Sequence, residues 1–486
     1  MSNNIEIVKN LEPKSVFEYF ARISDIPRGS GNTDKIVEYL VNFAIDNNLK
    51  YKKDDYNNVI IIKESKNKTK TSIALQAHID MVCVKNDQSK KDMKKEGIDF
   101  VLDRDFLRAN GTTLGADDGI GVAIILSILS DINDYERDII GIFTDDEEVG
   151  LVGANNIDLS GLDIKNLINI DNEEFGVFDV GCAGGTHLEY SKKATLTSCE
   201  NAKLLNLSIE GLLGGHSGME ITKKRGNANK IIAQVLNELY EKISFNLISV
   251  DGGVFDNAIP NKANAKIAIN SDIDDTVVIS HLNQIKAKYV DRLKENEPNI
   301  NMRYDFGSGE TVSNVFGTKD TKEIIDALCL LPDGLISVFE NNPLIAETSL
   351  NLGIVNTNDK TISFTYLIRS NVDSKREELV DKIYKISTNY GFTKKVESSY
   401  PAWEYRKTSL EEFCISSFKD LFGSDAVIEI THGGLECGIL LKKMKDTEAI
   451  ALGPTIYGAH TVDEKLEIST VIKTYKYILK VLENLV

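Results

Sequence analysis

Short apolar segments alternate with helix-like stretches at both ends of this 486-residue chain, and that alternation restricts the fold more than any other feature. Strands alternating with helices predict an α/β fold in which a mostly parallel sheet carries helices on both faces. The predicted strands are residues 59–63, 72–78, 138–144, 166–170, 426–431 and 449–452. The predicted helices are residues 15–23, 34–47, 119–129, 435–443 and 465–485.

The middle of the chain has a different pattern. Half-exposed, alternating segments at 203–209, 263–269 and 361–369 predict strands of an α+β region, with helical patterns between them. Its length is enough for two side-by-side lobes. We therefore expect one α/β domain built from residues 1–185 and 400–486, and an inserted α+β domain at 186–399.

Charge and composition limit the possible partners. The chain has 56 basic and 74 acidic residues, a formal net charge of −18, which argues against a nucleic-acid partner because phosphate binding depends on clustered Lys and Arg. No apolar run approaches the ~20 residues of a membrane span, and the first ten residues lack the features of a signal peptide. Six scattered cysteines without a CxxC pair are typical of a reducing compartment. We expect a cytoplasmic protein that binds neither nucleic acid nor membranes.

Imidazoles and carboxylates follow the predicted strands of the α/β domain. In an open α/β sheet, ligands bind at the carboxyl ends of the strands, so residues from five separate segments should meet at one edge. Two imidazoles with several carboxylates suit zinc or a similar divalent ion, and five or six ligands suit two ions with one bridging carboxylate. The candidate residues are His78, Asp80, Asp117, Asp118, Glu147, Glu148, Asp171 and His460.

Local spacing suggests separate roles for some of these residues in metal binding and proton transfer. In His78-x-Asp80 both side chains leave an extended strand on the same face, so Asp80 can orient the imidazole of His78. Glu147 and Glu148 are adjacent, so one can bind metal while the other takes a proton from water.

Several motifs resemble the co-catalytic zinc peptidase superfamily. They are QAHIDMV, GTTLGADDGIGVA, FTDDEEVG, NIDNEE, GLLGGHSG and GAHTVDE, and their order spans the chain. The forms GGHSGMEI with KRGNANK, and THGGLECGILLKK, are similar to the aminoacyl-histidine dipeptidase branch of that superfamily. This resemblance implies a metal-dependent dipeptidase that hydrolyses Xaa-His and other dipeptides through a metal-bridging hydroxide, with residues 186–399 as a lid.

The resemblance also assigns roles to individual residues. One zinc would be bound by His78 and Asp171, the other by Glu148 and His460, and both by Asp117. Glu147 would be the general base, Asp80 would orient His78, and His216 would hydrogen-bond the reacting carbonyl oxygen. Arg369, with Asn257 as a second contact, would bind the substrate. The cofactors would be two Zn²⁺ per chain, with Co²⁺ or Mn²⁺ as possible substitutes.

Other functions stay open at this point. An aminotripeptidase or an N-acyl amino acid amidohydrolase could use the same fold, and a binding module with a dead site is a non-enzymatic alternative. The partners would be small peptide substrates, and the chain could be a monomer or a homodimer. The sequence gives no role for Arg225 or His432.

Overall fold

The computed structural model describes residues 3–307, 314–340, 342–444 and 446–485. These residues form two compact units. The first contains the described residues of Met1–Cys182, Tyr405–Ile430 and Leu435–Val486, and the second contains those of Ala183–Glu404 and Thr431–Gly434. The four residues Thr431–Gly434 therefore group with the second unit, although their sequence neighbours on both sides belong to the first.

The first unit is built on an eight-stranded sheet. Its central strands Ile139–Thr144, Ile73–His78, Asn166–Asn169 and Glu448–Ala451 are parallel, and antiparallel strands flank them. The sheet order is Lys50–Lys53, Val59–Lys63, Ile139–Thr144, Ile73–His78, Asn166–Asn169, Glu448–Ala451, Val177–Cys182 and Val427–Thr431. Every residue of Ile73–His78 and Ile139–Thr144 is buried, as parallel strands with both faces covered require. The predicted α/β class is confirmed.

Helices of the first unit pack around this sheet. The helix Ala116–Ser130 is apolar on all sides and almost wholly buried, as expected for a helix in the middle of a core. A separate four-stranded sheet has the order Ile456–Tyr457, Lys465–Glu467, Phe106–Ala109 and Phe100–Asp103. The helices are Asn3–Val8, Lys14–Ser24, Asp34–Asp46, Ala116–Ser130, Val152–Asn156, Ser409–Phe422, Glu436–Lys443 and Ile468–Asn484.

The second unit has its own core and its own sheet, and this sheet is antiparallel. Its strands are continuous from one edge to the other, so the two predicted lobes do not form separate sheets. The order is Asn301–Phe306, Ala202–Glu210, Ala263–Asn270, Phe245–Gly252, Asn342–Asn358, Thr361–Ser370, Gly184–Lys193 and Thr393–Tyr400, and Gly334–Phe339 also pairs with Asn342–Asn358. Two short pairs join Leu196–Ser198 to Asn314–Phe316 and Gly215–His216 to Ala258–Ile259.

Four α-helices and one 3₁₀ turn complete the described part of the second unit. The helix Ala228–Tyr240 begins where the side chain of Asn227 accepts the backbone N–H groups of Asn229 and Lys230, as an N-cap does. The helices are Ala228–Tyr240, Asp275–Leu293, Thr318–Leu330 and Asp373–Asn389, and the 3₁₀ turn is Ile221–Lys223. Across the described ranges of both units, no helix has the length and apolar character needed to span a bilayer.

Candidate metal centre

The candidate metal ligands all lie in the first unit, at or just beyond the ends of its central strands. His78 is the last residue of the strand Ile73–His78, and Asp171 lies two residues after Asn166–Asn169. Glu148 and His460 follow Ile139–Thr144 and Glu448–Ala451. Asp117 is the second residue of Ala116–Ser130 and has a non-helical backbone there. Because these strands are parallel, their carboxyl ends share one edge of the sheet.

Asp117 lies between the two histidines. Its Oδ1 is 3.0 Å from Nε2 of His78, and its Oδ2 is 2.9 Å from Nε2 of His460. Asp171 Oδ1 lies 3.6 Å from the same nitrogen of His78, and Glu148 Oε1 lies 2.9 Å from that of His460. The five side chains therefore divide into two sets that share Asp117, one on each of its oxygens.

The spacing and charge of this cluster fit divalent metal. Around a tetrahedral ion with bonds of ~2.0–2.1 Å, neighbouring ligand atoms are about 3.3 Å apart, close to the separations seen here. Ligand atoms of His78, Asp117 and Glu148 all lie within 4.8 Å of one another. Hydrogen bonds to Asp117 and Glu148 raise the pKa of His460 to about 11, so the carboxylates strongly favour a positive charge at this place.

Asp80 connects a ligand to the glutamate pair. The side chain is fully buried, and its Oδ1 lies 3.3 Å from Nδ1 of His78. The same carboxylate accepts the backbone N–H groups of Glu147 (3.0 Å) and Glu148 (3.4 Å). Burial and the nearby charges of Asp171 and Glu148 raise the pKa of Glu147 well above its ordinary value, which suits a group that takes up a proton.

Two buried glutamates support this edge of the sheet and were not predicted. Glu464 accepts four backbone N–H groups of the stretch that ends at Asp117, from Leu114 (2.7 Å), Gly115 (3.0 Å), Ala116 (2.7 Å) and Asp117 (3.5 Å). Glu436 accepts hydrogen bonds from Gln76 (2.5 Å) and Thr144 (2.7 Å), which belong to two of the central strands. The only sequence signal was their place inside GAHTVDE and THGGLECGILLKK.

Asp118 stands apart from the ligand sets. Its Oδ1 accepts the backbone N–H of Gly121 at 3.2 Å, and burial together with Asp171 raises the pKa of its carboxyl well above the ordinary value. The Asp117–Asp118 peptide bond is cis.

His216 and Asn257 lie in the second unit and are neighbours there. The strand pair Gly215–His216 with Ala258–Ile259 joins their segments, and the N–H of Ser217 donates to the carbonyl of Asn257 (2.8 Å). Nδ1 of His216 accepts the N–H groups of Gly218 and Met219 at 3.3 and 3.2 Å. In the neutral ring the proton is then on Nε2, which makes Nε2 a hydrogen-bond donor.

Arg225 holds the loop that carries His216. Its guanidinium donates to the carbonyl of Gly214 and, at 2.7 Å, to Oε1 of Glu220. Glu220 in turn accepts the backbone N–H of His216 at 3.2 Å. These contacts assign Arg225 to the support of this loop.

Arg369 and His432 are both buried in the second unit. Nη1 of Arg369 donates to the hydroxyl of Tyr400 at 3.2 Å. Nδ1 of His432 donates to Oδ1 of Asn371 (3.0 Å), and its Nε2 accepts from Ser349 (2.7 Å). Burial and the positive charge of Arg369 lower the pKa of His432 to about 3, so the imidazole is neutral.

Family models match two segments of the chain. Residues 58–207 match the model described as Peptidase family M28, and residues 207–301 match the model described as Peptidase dimerisation domain. The first segment contains four of the five candidate metal ligands, and the second contains His216 and Asn257.

Known proteins match over nearly the whole chain. The cytosol non-specific dipeptidase of Escherichia coli is 33% identical over 471 residues, which cover 96% of both chains. The crystal structure of aminoacylhistidine dipeptidase from Vibrio alginolyticus has a TM-score of 0.85 at 29% identity and covers 98% of this chain and 97% of that one. The dipeptidase Dug1p from Saccharomyces cerevisiae shares the fold, with a TM-score of 0.53 at 15% identity and coverage of 99% and 96%. By its identity and coverage, this chain belongs to the metallopeptidase family that contains the cytosol non-specific and aminoacylhistidine dipeptidases.

Proposed function

We propose that this protein hydrolyses dipeptides, Xaa-His dipeptides among them, at a two-zinc centre. His78 and Asp171 would bind one ion, Glu148 and His460 the other, and Asp117 both. The observation that carries this proposal is the position of Asp117, whose two oxygens face two different histidines. Imidazole and carboxylate ligands suit Zn²⁺, and Co²⁺ or Mn²⁺ could replace it.

The chain's own residues would act around the bound metal. The ions, when bound, supply Lewis acidity and lower the pKa of water. Glu147 takes the proton from the attacking water and passes it to the leaving amine, a role that its raised pKa supports. Asp80 holds the imidazole of His78 and the backbone of Glu147 in place. His216 donates from Nε2 to the carbonyl oxygen as negative charge develops there.

Arg369 would recognise the free carboxylate of the dipeptide, with Asn257 as a second contact. A buried guanidinium fits this role because its planar fork pairs well with a carboxylate. Arg369→Met should raise KM for a dipeptide much more than for the same dipeptide with an amidated C-terminus. An equal change for both substrates would contradict the assignment.

The relatives also support an oligomeric state and a cellular location for the enzyme. The match to the Peptidase dimerisation domain model supports a homodimer over a monomer, which light scattering on the purified protein would test. The name of the Escherichia coli relative supports a cytosolic location.

Metal analysis combined with a substrate panel tests the whole proposal. The purified protein should contain about two zinc ions per chain and cleave Xaa-His dipeptides, and chelation should abolish both. Tripeptides and N-acetyl amino acids should be poorer substrates. Preference for either of those classes would replace the dipeptidase assignment, and bound zinc without turnover of any of them would favour a binding module.

A further inference from the structure

The segment Arg28–Thr33 connects the helices Lys14–Ser24 and Asp34–Asp46. We propose that this segment is a clamp that positions the metal ligands, and that Arg28 is its central positioning residue. The proposal rests on the proposed metal site and adds a residue that does not itself bind metal or substrate.

Arg28 joins two of the ligand-bearing stretches. The side chain is 2% exposed. Its Nη1 donates to the carbonyl oxygens of Ile79 (3.0 Å) and Asp80 (2.9 Å), and its Nη2 donates to the carbonyl of Gly115. The first two carbonyls directly follow His78, and the third lies two residues before Asp117. One planar guanidinium therefore fixes the distance between the backbones that carry these two ligands.

The rest of the clamp reaches the third ligand-bearing stretch. Three hydrogen bonds join it to acidic side chains: Ser30 Oγ donates to Asp80 Oδ2 (2.7 Å), Gly31 N to Asp146 Oδ1 (2.6 Å) and Thr33 Oγ1 to Asp145 Oδ2 (2.5 Å). Asp145 and Asp146 directly precede Glu147 and Glu148. Four of the six residues in this segment thus contact the stretches that carry His78, Asp117 and the glutamate pair.

Two glycines of the Asp117 segment leave room for this guanidinium. A Cβ atom on Gly119 would lie 2.3 Å from Nη2 of Arg28, and one on Gly115 would lie 2.7 Å from the same atom. At Gly119 the guanidinium leaves no room for a side chain, and Gly115 also has a φ of +67° and lies close to Met81. The guanidinium is therefore held in one position, because the chain packs closely around it.

Arg28→Lys separates the shape of the guanidinium from its charge, since lysine keeps the charge and loses the planar fork. Arg137 offers a matched control, because it is 1% exposed in the same unit and donates to the carbonyl of Leu485, which belongs to no ligand-bearing stretch. Zinc affinity is measured by competition with a chromogenic chelator, and kcat with an Xaa-His dipeptide.

We expect Arg28→Lys to weaken zinc binding by about 10–100-fold and to lower kcat, as loss of outer contacts to metal ligands does. Arg137→Lys should lower the melting temperature and leave zinc affinity and kcat unchanged. Equal zinc affinity in Arg28→Lys and wild type, or equal weakening in both lysine variants, would overturn the proposal.

A milder pair of variants decides the question if Arg28→Lys does not fold. Ser30→Ala removes one hydrogen bond to Asp80 and should weaken zinc binding about 10-fold. Ser127→Ala removes contacts to Ser15 and Tyr475 in the same unit and should not change zinc affinity. Unchanged affinity in Ser30→Ala would refute the clamp. Wild-type protein that binds no zinc would instead refute the proposed function, so the two failures are distinct.

Discussion

Glu464→Gln tests how strongly the Asp117 stretch depends on a single carboxylate. Glu464 is 2% exposed. One oxygen accepts the N–H groups of Leu114 and Gly115, and the other accepts those of Ala116 and, at 3.5 Å, Asp117. Glutamine has nearly the same shape but offers one oxygen and one NH₂ group. In the best orientation of the glutamine, its oxygen still accepts the N–H groups of Leu114 and Gly115. The NH₂ group then faces the N–H of Ala116, which loses its acceptor.

The size of the effect follows from these contacts. A buried donor left without a partner costs about 1–3 kcal/mol, and each of the two remaining bonds loses about 1 kcal/mol because its acceptor is no longer charged. Removal of a buried charge offsets part of this cost, since burial raises the pKa of Glu464. We expect the free energy of unfolding to fall by about 2–4 kcal/mol. Zinc affinity should fall about 10–100-fold, because Asp117 directly follows Ala116.

Glu297→Gln provides the control. Glu297 is fully buried in the second unit, and its oxygens accept the N–H groups of Leu213 and Gly226, both at 2.7 Å. Urea unfolding should show a comparable loss of stability in both variants, and chelator competition should show weaker zinc binding only in Glu464→Gln. If zinc affinity falls equally in both variants, or in neither, then the reasoning about Glu464 is wrong.

Three further predictions concern the proposed base Glu147, the proposed bridging ligand Asp117 and the carboxyl group of Asp333. Glu147→Gln should keep its zinc and lose about 10²–10⁴-fold in kcat, and near-normal turnover would exclude it as the base. Asp117→Ala should retain less than two zinc ions per chain by metal analysis after dialysis, and full retention would exclude a bridging role. Burial raises the pKa of Asp333 from 3.8 to about 6, so the wild type should lose about 2 kcal/mol of stability relative to Asp333→Asn as the pH rises from 4 to 7. Urea unfolding at several pH values measures this difference, and a constant difference would contradict it.

The central strands, and the position of the candidate ligands at the ends of those strands, could be predicted because both follow short-range rules. The run Ile73–His78 is apolar and ends at a histidine, and parallel strands bring such ends to one edge. The edge strand Lys50–Lys53 was harder to predict, because it is exposed throughout and has no apolar pattern. The continuity of the second sheet was missed for a related reason, since alternation of apolar residues predicts a strand but not its neighbour.

The supporting residues could not be predicted from the sequence. Arg28 and Glu464 act on backbone carbonyl and N–H groups, which every residue carries, so no side-chain pattern marks their targets. Glu436 lies 360 positions from its partner Gln76, and short-range sequence patterns carry no information about a contact at that separation.

The grouping of Thr431–Gly434 with the second unit limits how this protein can be recombined. Removal of Ala183–Glu404 alone would leave these four residues without their hydrogen-bond partners. The carbonyl of Thr431 accepts from Ala183 and Asn371, and the imidazole of His432 is hydrogen-bonded to Ser349 and Asn371. A neutral, buried imidazole would then face water without either partner. A chimera that exchanges this unit with a relative must therefore transplant two separate pieces together.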